Sequence, residues 1–255
     1  MLFQHLFSQR STIKAAFCFT LFACCAMPIK AFGEKNEHYD TWELEHSGKY
    51  KLVWYYDTKK DWSKNQPNVV MVDNKEFVIH PGVRPPTVNG VYLLEYAKVN
   101  EGEEVLDIGT GSGVHAIFAA DKAKRVVATD IFAPAVKNAR VNAQRHNVEH
   151  KIDFLVGDLF EPINENEKFD VFFFNINFPF EYDNKKRNKL HERLFAEVRR
   201  YMKPRARIYF QVSYVKNIPY IYDLLTRNDF RIMEMHMVHM APYRHEPLFM
   251  MIQSH

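Results

Sequence analysis

Cysteine is nearly absent from this chain: Cys18, Cys24 and Cys25 are the only three, and no cysteine follows them. If the first 33 residues are removed, neither a disulfide framework nor a cysteine-ligated metal site can be built from the rest. Excess charge is small too. The formal net charge of +3 is matched by Arg10, Lys14 and Lys30 in an N-terminal segment that holds no acid, so the body from residue 34 onward is formally neutral. A neutral body argues against non-specific nucleic-acid binding, which needs a basic surface. No internal repeat is evident, and the apolar run 15–29 falls short of the ~20 residues that a membrane-spanning helix needs. What is present is globular in composition and, at 255 residues, long enough for a substantial core in one or two domains.

The apolar run lies between Lys14 and Lys30 and is followed by Ala31-Phe32-Gly33, with small residues at both ends of the triplet. A basic start, an apolar middle and a small-residue end read as a secretory signal peptide over 1–33, which predicts an exported protein, periplasmic or secreted. Two alternatives stand beside it. Leu21-Phe22-Ala23-Cys24 loosely resembles a lipoprotein processing site, and translation from Met27 would delete the apolar run and leave a cytoplasmic protein.

The chain is organised around Val105-Leu106-Asp107-Ile108-Gly109-Thr110-Gly111-Ser112-Gly113 and the helical segment that follows it. An apolar run carrying a carboxylate, then three alternate glycines, then a helix is a buried strand, a tight turn and a helix start. Glycine is needed where φ is positive or where a ligand approaches closer than a Cβ allows, and such a turn is expected to aim its amides at a nucleotide-like ligand. Dinucleotide-binding folds prefer G-x-G-x-x-G, whereas here the spacing is G-x-G-x-G with an acid two residues before the first glycine. This pattern resembles motif I of the class I S-adenosyl-L-methionine (SAM)-dependent methyltransferases. The resemblance implies that Gly109, Gly111 and Gly113 pass under the methionine part of SAM and that Asp107 lies near its ammonium. An NAD-dependent oxidoreductase is disfavoured by the same spacing.

From Glu103 onward strands and helices alternate regularly. The strand 125–130 ends in Asp130, whose carboxylate can accept hydrogen bonds from both ribose hydroxyls, with Ile131 next to it on the cofactor side. The strand 152–156 leads into Gly157-Asp158-Leu159-Phe160. There the resemblance gives Asp158 the adenine amino group and Leu159 a backbone amide. The segment 134–143 reads as a helix whose alanine-rich face is for packing, and His115 as a polar residue near the cofactor.

The apolar strand 169–174 reads as central and buried on both faces, and it ends in Asn175-Ile176-Asn177-Phe178-Pro179-Phe180. This end resembles the Asn-Pro-Pro-aromatic signature of methyltransferases that act on planar nitrogens. Two registers compete: Asn175-Ile176 looks like the start of the variant found in ribosomal protein L11-type methyltransferases, and Asn177-Phe178-Pro179-Phe180 keeps one proline and the last aromatic. Asn175, Asn177 and Phe178 are therefore the candidate catalytic residues. A side-chain carbonyl accepting an N–H can hold the nitrogen lone pair in line with an activated methyl, so positioning outweighs general-base strength.

Around this centre the reading is looser. Two strands near 50–56 and 69–72, with Trp42, Trp54, Tyr55, Tyr56 and Trp62 as cleft or core aromatics, precede a Pro-Gly loop, 81–87, resembling the segment that closes over SAM in the L11-type enzymes. A helix 91–96 follows. Lys185-Lys186-Arg187-Asn188-Lys189 is expected to be a solvated basic loop, with a phosphate or acidic-protein grip as the other reading. The segment 190–201 reads as an amphipathic helix broken by Met202-Lys203-Pro204-Arg205 before a strand 206–210. His236, His239 and His245 lack the accompanying acids of a metal site, so no metal is expected. The expectation is an α/β fold, a Rossmann-like seven-stranded class I methyltransferase sheet with a C-terminal antiparallel hairpin. It divides into a leader 1–33, N-terminal strands and a cofactor-closing loop 34–100, and a SAM-binding domain 101–255. The function implied is methyl transfer from SAM to a nitrogen, of a protein ahead of a nucleobase, with no membrane contact by the mature domain; a non-catalytic SAM-fold interaction protein is the alternative.

Overall fold

The computed structural model describes residues 35–36, 39–44, 52–57, 69–176, 184–212, 217–237 and 248–254, with backbone alone for those before residue 69. The leader-like 1–33, the cleft aromatic Trp62, and Asn177, Phe178, His239 and His245 lie outside the described residues, as do the side chains of Trp42, Trp54, Tyr55 and Tyr56.

A five-stranded antiparallel meander comes first: Lys35–Asn36 (β1), Tyr39–Leu44 (β2), Leu52–Asp57 (β3), Val69–Val72 (β4) and Lys75–Val78 (β5), paired in sequence order. Helix Val88–Tyr96 (α1) follows, its first turn capped by the Thr87 hydroxyl, which accepts from the Gly90 amide. Then the alternation expected from the sequence sets in: Glu104–Ile108 (β6), Val114–Ala120 (α2), Arg125–Asp130 (β7), Ala133–Arg145 (α3), Ile152–Val156 (β8), Phe169–Phe174 (β9), Asn184–Glu197 (α4), Met202–Val212 (β10), Ile218–Arg227 (α5), Phe230–Met237 (β11) and Leu248–Ser254 (β12). Among the described residues no helix is long and apolar enough to cross a membrane.

The second sheet runs β11-β12-β10-β9-β6-β7-β8, parallel from β8 through β10 and antiparallel at β12 and β11. Its two faces bury separate cores. One core combines the sheet with α1, α2, α3 and the β4–β5 hairpin, through residues such as Phe77, Leu93, Ile117 and Ala139. The other combines it with α4 and α5, through Phe172, Phe195, Phe210 and Leu224. The helix after β6 thus covers one face and the helix after β9 the other, which leaves the carboxyl ends of these two adjacent strands uncovered. That is the crevice where open α/β sheets bind ligands.

Two segments depart from expectation. The basic run 185–189 is helix and not loop, because α4 begins at Asn184 and lysine and arginine are good helix formers even without an apolar stripe. Strand β10 starts at Met202, four residues ahead of the expected 206: the register shifts between Met202 and Arg207, and Arg205 takes a positive φ of 64°. Pro204 is accommodated in this irregularity, where its missing amide breaks no ladder bond.

Candidate active site

The uncovered strand ends open into a cavity of about 700 Å³, a size suited to a nucleoside-like ligand. Its walls come from the 81–87 loop, the glycine turn, the ends of β7 and β8, Asn175 and Ile176 after β9, and one side of α4.

The glycine turn has positive φ at all three positions, 76° at Gly109, 56° at Gly111 and 90° at Gly113. The expectation that its amides point at the ligand is not met. Gly109 and Thr110 donate to the Thr129 carbonyl at 2.8 and 2.9 Å, and Gly111 donates to Asp130 Oδ2 at 3.0 Å. The glycines serve close approach. A Cβ on Gly109 would stand 2.7 Å from Ile176 Cγ1, and one on Gly113 would stand 3.0 Å from the Ala139 Cα. Gly109 and Gly111 line the cavity, whereas Gly113 is buried behind it, where α2 meets α3.

Asp107 also lies behind the wall, 1% exposed and not part of the lining. Its Oδ2 accepts from the Thr110 hydroxyl at 2.7 Å. Burial pushes its carboxyl pKa up, opposed by His115, that hydroxyl and the Ala116 amide. Asp107 therefore shapes the turn from beneath. His115, 7% exposed, is pushed down by burial and pulled back by Asp107. Its Nε2 lies 3.1 Å from the Gly90 carbonyl, and since a carbonyl can only accept, Nε2 carries the hydrogen.

Asp130 is held by two amides: Oδ2 accepts from Gly111 and Oδ1 from Phe132 at 2.9 Å. Each oxygen keeps a further lone pair at the cavity, the arrangement that a pair of vicinal hydroxyls requires. Beside it Ile131 is 71% exposed, a large apolar side chain at a cavity wall. Across from it Leu159, at φ 50°, turns the chain so that Gly157, Asp158 and Leu159 all line the cavity. Asp158 Oδ2 accepts from Arg193 of α4 at 2.7 Å.

Asn175 closes the far end. Its side-chain Oδ1 is buried and has no hydrogen-bond partner, while a Cβ on Gly90 would stand 3.0 Å from its Nδ2 and 3.6 Å from the His115 ring. The structure thus gathers Gly109, Gly111, Asp130, Ile131, Asp158, Leu159 and Asn175 around one cavity and puts Asp107 and Gly113 behind it. Among the described residues no group of three His, Cys, Asp or Glu side chains could hold a metal ion, and His236 stacks on Tyr96 with centroids 4.0 Å apart.

Sequence reasoning missed several contributors. Asn138 and Asn142, fully buried in the alanine-rich helix α3, tie three segments together: Asn142 Nδ2 donates to the Ser112 carbonyl of the glycine turn and to Val78 of β5, and Asn138 Oδ1 accepts from the His80 amide. Two asparagines four apart on an otherwise apolar helix face were the signal for them. The cations of α4 were missed as a wall because a helical face, Lys186, Lys189, Leu190 and Arg193, shows itself only once the segment is known to be helix.

Residues 81–178 match the sequence profile of the ribosomal protein L11 methyltransferase (PrmA) family. The chain is 41% identical over 160 residues to the ribosomal protein L11 methyltransferase of Staphylococcus saprophyticus, a match covering 59% of this chain and 50% of that protein. It is 32% identical over 132 residues to the release factor glutamine methyltransferase of Clostridium acetobutylicum, covering 47% and 46%. Among solved structures, the ribosomal protein L11 methylase of Lactobacillus delbrueckii subsp. bulgaricus superposes with a TM-score of 0.51 at 26% identity, over 66% of this chain and 78% of that one. The chain spans about half the length of the two sequence relatives. Its fold is the class I methyltransferase fold.

Proposed function

We propose that this protein is a SAM-dependent N-methyltransferase whose acceptor nitrogen belongs to a protein. The observation that carries this reading is Asn175 Oδ1, a buried acceptor with no partner at the carboxyl end of the central strand. An orphaned buried carbonyl costs about 1–3 kcal/mol. Such an orphan in a native protein needs a cause, and a catalytic role is one.

The residues present fit the cofactor. Asp130 offers two oriented lone pairs to a ribose, Ile131 adds an exposed apolar side chain beside it, and Gly109 and Gly111 present no side chain to the cavity. Bound there, SAM supplies a methyl group activated by its sulfonium. The protein's share is orientation. Asn175 Oδ1 accepts one N–H of the acceptor nitrogen, and a nitrogen held through one N–H keeps its lone pair in a fixed direction, as in-line displacement demands. His115, neutral and bonded to Gly90, braces α1 against Asn175 and adds no competing charge. The protein acceptor is favoured over a nucleobase by the neutral body of the chain and by the relatives, whose names specify ribosomal protein L11 and release factor glutamine.

Calorimetric titration of SAM, and separately NAD, into the purified chain and its Asp130→Ala variant tests the reading. SAM binding that disappears in the variant is the expected result. A folded protein that binds no SAM would refute the enzyme reading and leave a scaffold that has kept only the fold.

A further inference from the structure

The cavity carries more positive charge than the proposed cofactor can use. Four cations line it, Arg84 from the 81–87 loop and Lys186, Lys189 and Arg193 from α4, against two carboxylates, Asp130 and Asp158. Arg193 is paired with Asp158. Among the described residues Arg84, Lys186 and Lys189 have no carboxylate partner within ion-pair distance, and all three are exposed. SAM brings one carboxylate of its own, together with an ammonium and a sulfonium, so it adds net positive charge and can neutralise at most one of these groups.

The three α4 cations follow one another at intervals of three and four residues, which puts them on one helical face, and that face lines the cavity. Mean charge does not account for this, because the body of the chain is neutral and the excess is local. A cationic acceptor approaching along α4 would meet repulsion in a cleft whose low-dielectric walls concentrate the field. An anionic one would be drawn in.

We infer that the acceptor nitrogen is presented by an acidic stretch of a protein chain, docked along the Lys186–Lys189 face of α4. The inference rests on the methyl-transfer reading above for the word acceptor, but the docking face itself is independently measurable. A peptide is favoured over a nucleic-acid backbone because the cations form one short row beside the cavity and the rest of the neutral body holds no further positive excess to follow a phosphate backbone.

The probe is fluorescein-labelled decaglutamate, with decalysine and a labelled oligouridylate of equal length as comparisons, followed by anisotropy at low salt on the full chain. The expected result is decaglutamate binding that weakens at least about tenfold in Lys186→Glu/Lys189→Glu and as sharply with added salt, as charge-steered contacts do. Lys186→Gln/Lys189→Gln, which removes charge without reversing it, should fall between the two. The inference is overturned if the native chain, shown by circular dichroism to be folded, does not bind decaglutamate, or if the charge-reversed variant binds it equally. It is also overturned, in favour of a nucleic acid, if oligouridylate binds more tightly than decaglutamate. SAM calorimetry on the same preparations separates the two claims: decaglutamate binding without SAM binding refutes the methyl-transfer reading and leaves the acidic docking face standing.

Discussion

Replacing Asn175 by leucine should make this protein more stable and inactive at once. The two side chains have the same number of heavy atoms and the same branching, but leucine has no carbonyl to bury. In the resting protein Asn175 Oδ1 is sealed from solvent without a partner, while its Nδ2 sits in the tight space beside Gly90. Removing an unsatisfied buried acceptor recovers part of its desolvation penalty, about 1 kcal/mol out of the 1–3 kcal/mol that such groups cost. For a domain of this size that corresponds to a rise in Tm of about 2–4 °C. In the proposed mechanism methyl transfer depends on the same oxygen, and loss of the group that orients the nitrogen should lower it at least about 100-fold. Differential scanning fluorimetry reads the first effect without any acceptor. Transfer of labelled methyl from SAM to glutamine- and lysine-containing peptides of acidic composition reads the second. A variant that is destabilised would refute the reasoning, because it would mean that the oxygen is satisfied within the fold and that Asn175 is an ordinary structural asparagine.

Three other substitutions probe neighbouring parts of the site. Gly90→Ala improves helix propensity by about 1 kcal/mol but pushes on Asn175 Nδ2, 3.0 Å from the new Cβ, so stability should change little while transfer falls about tenfold and SAM affinity holds, as kinetics and calorimetry on one preparation would show. Gly113→Ala must take a φ of 90° and drive a Cβ to 3.0 Å from the Ala139 backbone; a loss of at least about 2 kcal/mol in denaturant unfolding is expected, far from any ligand contact. His191, buried against Phe174 and Phe210, is pushed down to about 3 by burial and by Arg187. With the folded pKa below the unfolded one, its contribution is present above about pH 6.5 and is lost progressively as pH falls from there toward 3, by up to about 1.4 kcal/mol per pH unit. His191→Phe should flatten that part of the acid limb in urea titrations at several pH values, and an unchanged limb would exclude His191 as its source.

The parts of this fold that were legible in the sequence are those where a single physical rule acts alone. Continuous apolar runs such as Phe169–Phe174 announce a strand buried on both faces, and carboxylates at strand ends, Asp130 above all, fall where the crevice must be. Legibility fails where two rules compete. In 185–189 polarity argued for a loop and intrinsic propensity for a helix, and propensity prevailed because Leu194 and Phe195, one to two turns later, anchor the same helix in the core. At Pro204 the missing amide argued for a break, yet the ladder absorbs it in a register shift. The amides of the glycine turn were misjudged because the Thr129 carbonyl that takes two of them lies on another strand, at a place that no spacing within the motif could reveal.

The site depends on the chain ahead of the glycine turn as much as on the turn itself. Val91, Leu93 and Leu94 of α1 share a core with Val105 and Ile117, and Gly90 stands against both Asn175 and His115. Asn142 then links the turn, through Ser112, to Val78 of the hairpin. A shift in the 69–97 segment is thereby transmitted to the acceptor end through Gly90 and to the cofactor end through Ser112. Asp107, behind the wall, and His115, which is part of the lining, brace those two ends: one holds the turn through Thr110, the other holds α1 through the Gly90 carbonyl. Alignment is the main demand of methyl transfer. In the proposed reaction that demand falls on Asp107 and Asn142 behind the wall and on His115 within it.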